Sequence, residues 1–253
     1  MREKLLLALL CCVLAGCASS EQILLTAAPD QQAIVRDGIP ALISHKKHLV
    51  MLRPNNRLVK SGARPAFTLV VRNQGQSPET LFEASISASQ TLAGKSAAVR
   101  VYRYDELVQE EQTRQAMAAV GAALAGAGRA MSAANAGYVN TTGSFNAYRP
   151  GYGTAYGTYS STTYDPLRAQ IAQQAANAET TADFAALRAQ GESNLMSLQQ
   201  TILKDNTVMP GEWYGGSIVL DAPEKTGNEM IAYSIVVIFA GEEHVFSISH
   251  VKG

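Results

Sequence analysis

The chain has 253 residues and sets 21 Lys and Arg against 21 Asp and Glu, a balance that argues against nucleic acid as a partner. With 47% hydrophobic, 7% aromatic and 17% charged residues, it is globular in composition and long enough for one ordinary domain plus an addition. Its three cysteines, Cys11, Cys12 and Cys17, all precede Ala18, so the remainder holds no disulfide, no thiolate metal site and no cysteine nucleophile.

Arg2 and Lys4 come before a short apolar run from Leu5 to Val13, and Leu14-Ala15-Gly16-Cys17 closes it with small residues. Charge, apolar stretch and small-residue end, in that order, specify a secretory signal over residues 1–16. About nine apolar residues fall well short of the roughly 20 that a spanning helix needs, so the run is not a permanent anchor. The Leu-Ala-Gly-Cys ending resembles the lipobox of bacterial lipoproteins. That resemblance implies cleavage before Cys17 and lipidation of Cys17, which then anchors the chain to a membrane. Cleavage removes Arg2, Lys4 and Glu3, so the mature chain keeps 19 basic and 20 acidic residues and stays close to neutral. In lipoproteins of this kind an aspartate after the cysteine commonly retains the protein in the inner membrane. Ala18 stands there, which favours the outer membrane, on either its periplasmic or its outer face. Residues 17–38 read as a tether.

Beyond the tether, seven runs read as strands: His48 to Leu52, Phe67 to Asn73, Leu81 to Ser87, Ala98 to Tyr102, Ser217 to Leu220, Ile231 to Phe239 and His244 to His250. In Phe67-Thr68-Leu69-Val70-Val71-Arg72-Asn73 the odd positions are apolar, as a strand with one buried face requires. Ile231 to Phe239 is apolar on both faces and should be central, with Ala240-Gly241-Glu242-Glu243 turning it into the last strand. All seven lie outside residues 105–203, where the period changes from two to about 3.6. Met117, Val120, Leu124, Ala127, Met131 and Ala134 form the seam of a first helix, with Glu110 and Arg114 as a surface pair one turn apart. A second helix opens on Asp165 as N-cap and Pro166 at the first helical position. Its seam runs through Ile171, Ala175, Ala178, Ala182, Ala185 and Ala189, then shifts to Leu195, Leu198 and Ile202. Alanine on both seams, with Gly121, Ala125 and Gly128, suits close helix approach. The fold class is therefore α+β: an Ig-like antiparallel β-sandwich (39–104 plus 204–253) interrupted by a long antiparallel helical hairpin (105–203). Residues 136–164 join the helices with Gly, Ser, Thr and Asn, six tyrosines and one charge, Arg149, and read as a flexible tip.

Few constellations carry chemistry. Gly94-Lys95-Ser96 lacks the earlier glycine of a phosphate loop, since Ser89 stands there, and precedes a strand rather than a helix. His45 and His48 have a metal-like spacing but no third ligand in sequence. His244 and His250 fall on the last strand, where a surface or sheet-edge role is expected, and no Ser/His/Asp order follows from spacing. Glu110-Glu111 and Glu242-Glu243 read as solvated neighbours rather than an acid/base pair. The stretch Gln115 to Ala136 is long enough to cross a bilayer, but Arg129 within it, and Gln170, Gln173, Gln174 and Asn177 in the second helix, count against a spanning hairpin. No catalytic residue, metal ligand or cofactor site is assigned.

Two places suggest binding. Pro210-Gly211-Glu212-Trp213-Tyr214-Gly215-Gly216 sets the sole tryptophan beside a tyrosine, either as a ligand platform or to close the sandwich against the hairpin base. Tyr148, Tyr152, Tyr156 and Tyr159 in the tip could stack on sugars or bases, or associate with another copy of the tip or with lipid headgroups. Together with Lys204-Asp205-Asn206-Thr207, the Pro210–Gly216 segment resembles uncharacterised bacterial lipoproteins with a sandwich and helical insertion, a likeness that implies no known activity. The expected function is a lipid-anchored envelope binding or assembly protein without enzymatic activity, its partner an envelope protein or glycan. An envelope hydrolase or other enzyme is the alternative, and a membrane-perturbing helical hairpin the third.

Overall fold

The structure is a computed structural model and describes residues 20–92, 94–224 and 231–252. The signal sequence and Cys17 lie outside the described residues. The chain is α+β, with mostly antiparallel strands and two long helices, and divides into two compact units: residues up to Leu107 with those from Leu198, and Val108–Ser197.

The first unit holds two six-stranded sheets. One is built from β1 (Ser20–Thr26), β5 (Leu58–Lys60), β8 (Ile86–Leu92), β9 (Lys95–Val99), β15 (Ile231–Phe239) and β16 (Glu242–Lys252), in the order β5-β1-β16-β15-β8-β9. The other contains β2 (Gln31–Arg36), β3 (Ile39–His45), β4 (Leu49–Pro54), β6 (Ala66–Arg72), β10 (Val101–Tyr102) and β14 (Trp213–Leu220), in the order β10-β14-β6-β4-β3-β2. Every ladder is antiparallel. Period two decides what faces inward: Phe67, Leu69 and Val71 of β6 are fully buried while their neighbours are half-covered. In β15 the residues Ile231, Tyr233, Ile235, Val237 and Phe239 are buried, and with Phe246, Ile248, Leu42, Leu52 and Leu220 they form one core fed by both sheets. β15 is interior in its sheet, as its apolar sequence requires, yet Ile238 on its second face is exposed.

Three expectations for this unit need correction. Residues 17–38 are not simply a tether: β1 pairs with β16 and β5, Ile23 is fully buried, and β2 pairs with β3. The strand expected from Leu81 to Ser87 is broken. β7 (Glu79–Leu81) pairs with β13 (Asn206–Val208), a 3-10 turn at Glu83–Ser85 follows, and β8 starts only at Ile86. Asp205 sets the break by accepting the Glu83 amide at 2.6 Å, and the Ser85 hydroxyl donates back to the Phe82 carbonyl. His244 and His250 are neither surface nor edge residues, since β16 lies between β1 and β15 and both imidazoles are buried.

The second unit contains most of α1 (Tyr104–Asn135) and α2 (Pro166–Thr201), with β11 (Tyr138–Arg149) and β12 (Gly153–Tyr164) between them. α1 begins with Glu106 reaching back to accept the Arg103 amide, one half of a capping box. Asp165 caps α2 by accepting the Leu167 and Arg168 amides ahead of the Pro166 ring, as its sequence announces. Contacts between the helices run in opposite chain directions. Glu111 accepts from Asn194, Gln115 covers Gly191, Thr180 covers Gly126, and Arg129 pairs with Asp183 at 2.7 Å and Glu179 at 3.4 Å.

Those contacts overturn the seam expected on α1 and the 171–189 stretch of the seam expected on α2, whereas Leu195 and Leu198 are half-covered and Ile202 is buried as expected. The facing row on α1 is Glu111, Gln115, Ala118, Ala122, Gly126, Arg129 and Ala133; on α2 it is Ala169, Ala176, Thr180, Asp183, Leu187, Gly191 and Asn194. At about 100° per residue, Met117, Val120, Leu124 and Met131 lie roughly half a turn away and are 57–70% exposed. Ile171 of α2 is likewise turned outward. Arg114 pairs with Glu111, three residues back, at 2.6 Å. Glu111 also accepts from Gln115 and Asn194, and these bonds, the Arg114 one first, hold its carboxyl down at about 2.

The tip at 136–164 is a regular antiparallel ribbon, twelve residues per strand, not an unstructured connector. Its register runs from Tyr138 opposite Tyr164 to Arg149 opposite Gly153.

Candidate interaction site

Alternation in the ribbon distributes the tyrosines over two faces. Tyr138, Tyr148, Tyr156 and Tyr164 share one face, with Asn140, Thr142, Ser144 and Asn146 between them. Tyr138 and Tyr164 meet at the base, ring centroids 5.1 Å apart. The other face carries Phe145 and Tyr159, each lying across a glycine of the opposite strand. A Cβ on Gly157 would come within 2.5 Å of the Phe145 ring, and one on Gly143 within 2.5 Å of the Tyr159 ring. These two glycines leave the space over which the opposite rings lie, and a side chain at either would turn its ring aside. Tyr152 sits in the turn, where Arg149 lies 4.7 Å from its ring centroid. Tyr148, Tyr152, Tyr156 and Tyr159 are all exposed, so the ribbon has no core on either face.

Trp213 and Tyr214 belong to the other unit and, as consecutive residues of β14, point to opposite sides. Trp213 is half exposed, with the Arg72 guanidinium 5.3 Å from its ring. Tyr214 turns inward, and its hydroxyl accepts from Lys204 N–H at 3.2 Å and donates to Lys204 C=O at 2.8 Å. The rest of the Pro210–Gly216 segment is structural. Gly211 takes φ +80°, its amide donates to the Asn73 carbonyl, and the Glu212 carboxylate accepts the Met209 amide. Gly215 and Gly216 leave no room for a side chain: a Cβ would lie 2.5 Å from the Leu69 carbonyl oxygen in one case and 2.6 Å from the Leu203 nitrogen in the other.

Sequence reasoning missed a buried polar cluster where the β3–β4 and β15–β16 turns meet. His244 Nδ1 is 2.9 Å from Ser44 Oγ, and the Glu242 carboxylate accepts the Lys47 and His48 amides. His48 Nδ1 accepts the Gln74 amide, and its ring meets Phe239 edge-on at 5.3 Å. Burial draws His244 down to about 4, so it is neutral at pH 7. Serine, histidine and glutamate in contact invite comparison with a nucleophile and its base. Here, though, Glu242 stands 4.0 Å from Nε2, and Ser44 and His244 are both buried, leaving the hydroxyl no face for a substrate.

An open cleft of about 420 Å³ in the first unit is lined by Glu83, Arg103, Tyr104, Asp105, Lys204 and Asp205. Glu83 accepts the Tyr104 amide, and Lys204 donates to the Gln199 carbonyl over the Tyr104 ring. Burial, ahead of the nearby Asp205 and Asp105, raises the Glu83 carboxyl.

Among the described residues, no group of three or more His, Cys, Asp or Glu is placed to hold a metal, and no helix is long and apolar enough to cross a membrane. No family model, no curated protein and no solved structure matches the chain.

Proposed function

We propose that this chain is a lipid-anchored cell-envelope binding or assembly protein without enzymatic activity, built as an Ig-like sandwich interrupted by a helical hairpin whose tip makes the contacts. The observation that carries the reading is the ribbon, two twelve-residue strands with every aromatic residue exposed and one charge in the whole segment. A two-stranded ribbon is marginal in water by itself, and aromatic residues without a core are characteristic of contact surfaces. Cys17, through its lipobox resemblance, supplies the anchor, and Ala18, in place of a retaining aspartate, favours the outer membrane. The partner is an envelope protein or glycan; balanced charge argues against nucleic acid. A hydrolase is the second reading. It has the Ser44–His244 contact in its favour and the burial of both residues against it.

Crosslinking in intact cells tests this reading. Replacing residues 136–164 with a short Gly/Ser connector should leave the first unit folded and abolish capture of envelope components. Unchanged capture would overturn it.

A further inference from the structure

The second unit is incomplete as a single copy. Among the described residues β11 and β12 pair only with each other, so each keeps a second edge whose outward N–H and C=O groups have no described strand beside them. Such edges are usually blunted by lysine, inward charge, proline or a covering element. Here the strands carry no charge except Arg149 at the tip and no proline, since Pro150 lies in the turn.

The helices repeat the pattern. Between Gln115 and Asn135 the single charged side chain of α1, Arg129, is turned to α2, which leaves Met117, Val120, Leu124 and Met131 as an uncharged apolar face pointing away. On α2, Leu167, Ile171 and Met196 are exposed on the side opposite the facing row, with Ala178, Ala182, Ala185 and Ala189 between them. Two outward apolar faces on opposite sides of a helix pair cannot both be covered by one two-fold contact. They call for head-to-tail neighbours, one on each side.

We infer that the occupant of both is a second copy of this chain, the α1 face and β11 edge of one copy meeting the α2 face and β12 edge of the next. One displacement satisfies both elements: bringing α2 of one copy to α1 of its neighbour also brings a β12 edge toward a β11 edge. That pairing is antiparallel, because the two strands run in opposite directions. Repeated around a closed ring it yields an antiparallel barrel of ribbons with no free edge. The area is sufficient. A strand of this length offers an edge of about 40 Å, or about 400 Å² at a ribbon thickness of ~10 Å. Four exposed side chains on α1 add about 100 Å² each, which brings the total near the ~800 Å² per partner of a stable interface.

This inference rests on the assembly reading above and names its partner. The test uses the full lipidated chain, extracted in mild detergent, with light scattering for mass. The wild type should run as a multiple of the single-chain mass, and Val120→Glu with Leu124→Glu should reduce it to one chain that keeps the circular-dichroism spectrum of the folded protein. Both positions are exposed, so the double variant retains its fold. Mixed chains carrying Thr142→Cys and Ser160→Cys should form disulfide-linked pairs that neither variant forms alone. A monomeric wild type that still captures an envelope component in cells would overturn self-assembly and leave the binding reading standing. A monomer that captures nothing would remove both. A monomeric wild type whose ribbon gains protease protection on phospholipid vesicles would also overturn the inference and assign the ribbon to the bilayer.

Discussion

The Tyr214 hydroxyl closes on both backbone groups of Lys204, accepting its N–H and donating to its carbonyl. This pair of hydrogen bonds fixes the chain where it leaves α2 and re-enters the sheets, beside the Ile202–Ser217 bridge and the Leu203 amide on the Ser217 carbonyl. Tyr214→Phe removes two hydrogen bonds and strands two part-buried backbone groups, so a loss of about 2 kcal/mol is expected in urea titration. Gly216→Ala should cost more, because its methyl group meets the Leu203 backbone, which cannot rotate aside. Gly211→Ala meets open space and should cost only about 1 kcal/mol, from its positive φ.

Stability should fall with acid in a window set by His244. Burial lowers its folded value to about 4 from 6.5, so the unfolded chain takes up a proton first as pH falls. The contribution is complete above pH 6.5 and is lost between 6.5 and 4, up to about 3 kcal/mol. His244→Gln should flatten this slope in urea melts at pH 7.5, 6 and 4.5. An unchanged slope would assign the acid sensitivity elsewhere.

Much of the sheet was legible because burial has period two there: Phe67-Leu69-Val71 and the odd residues of β15 state which face is inside. Asp165-Pro166 likewise announced its helix. The β2–β3 hairpin was also legible but unread. Asp37-Gly38, with φ of 52° and 75°, is the two-residue turn that Asp-Gly favours. Where the helix seams failed, the reason is physical. Large apolar residues were assigned to the inside, yet this unit packs mainly on glycine, alanine and hydrogen-bonded polar groups and leaves Met117, Val120, Leu124, Met131 and Ile171 outside. The ribbon was unreadable as strands because neither face is buried, which erases the alternation that period two would otherwise print. His244 gave no signal at all, since its partners Ser44 and Glu242 come from the distant strand β3 and from its own strand.

Glu111 offers a second acid window, separate from the first. Its carboxyl is held at about 2 by Arg114, Gln115 and Asn194, so its contribution is present above about pH 4.5 and disappears as pH falls toward 2. Glu111→Gln should lower the melting temperature of the helical signal at pH 7, by the equivalent of about 1–2 kcal/mol. Near pH 2 the variant and the wild type should melt together.

Cys17→Ala should abolish metabolic lipid labelling and either release the protein from membranes or leave its signal uncleaved. Equal labelling of both forms would remove the lipid anchor from the proposal.

The most direct measurement of where this protein makes contact is photo-crosslinking from single positions in cells. A photoreactive residue at Tyr156 on the ribbon and, in a separate strain, at Trp213 on β14 probes the two exposed aromatic surfaces without deleting either. Discrete adducts from position 156 and none from 213 are expected. Adducts from 213 with a silent 156 would place the contact surface on the sheet unit and contradict the role given to the ribbon.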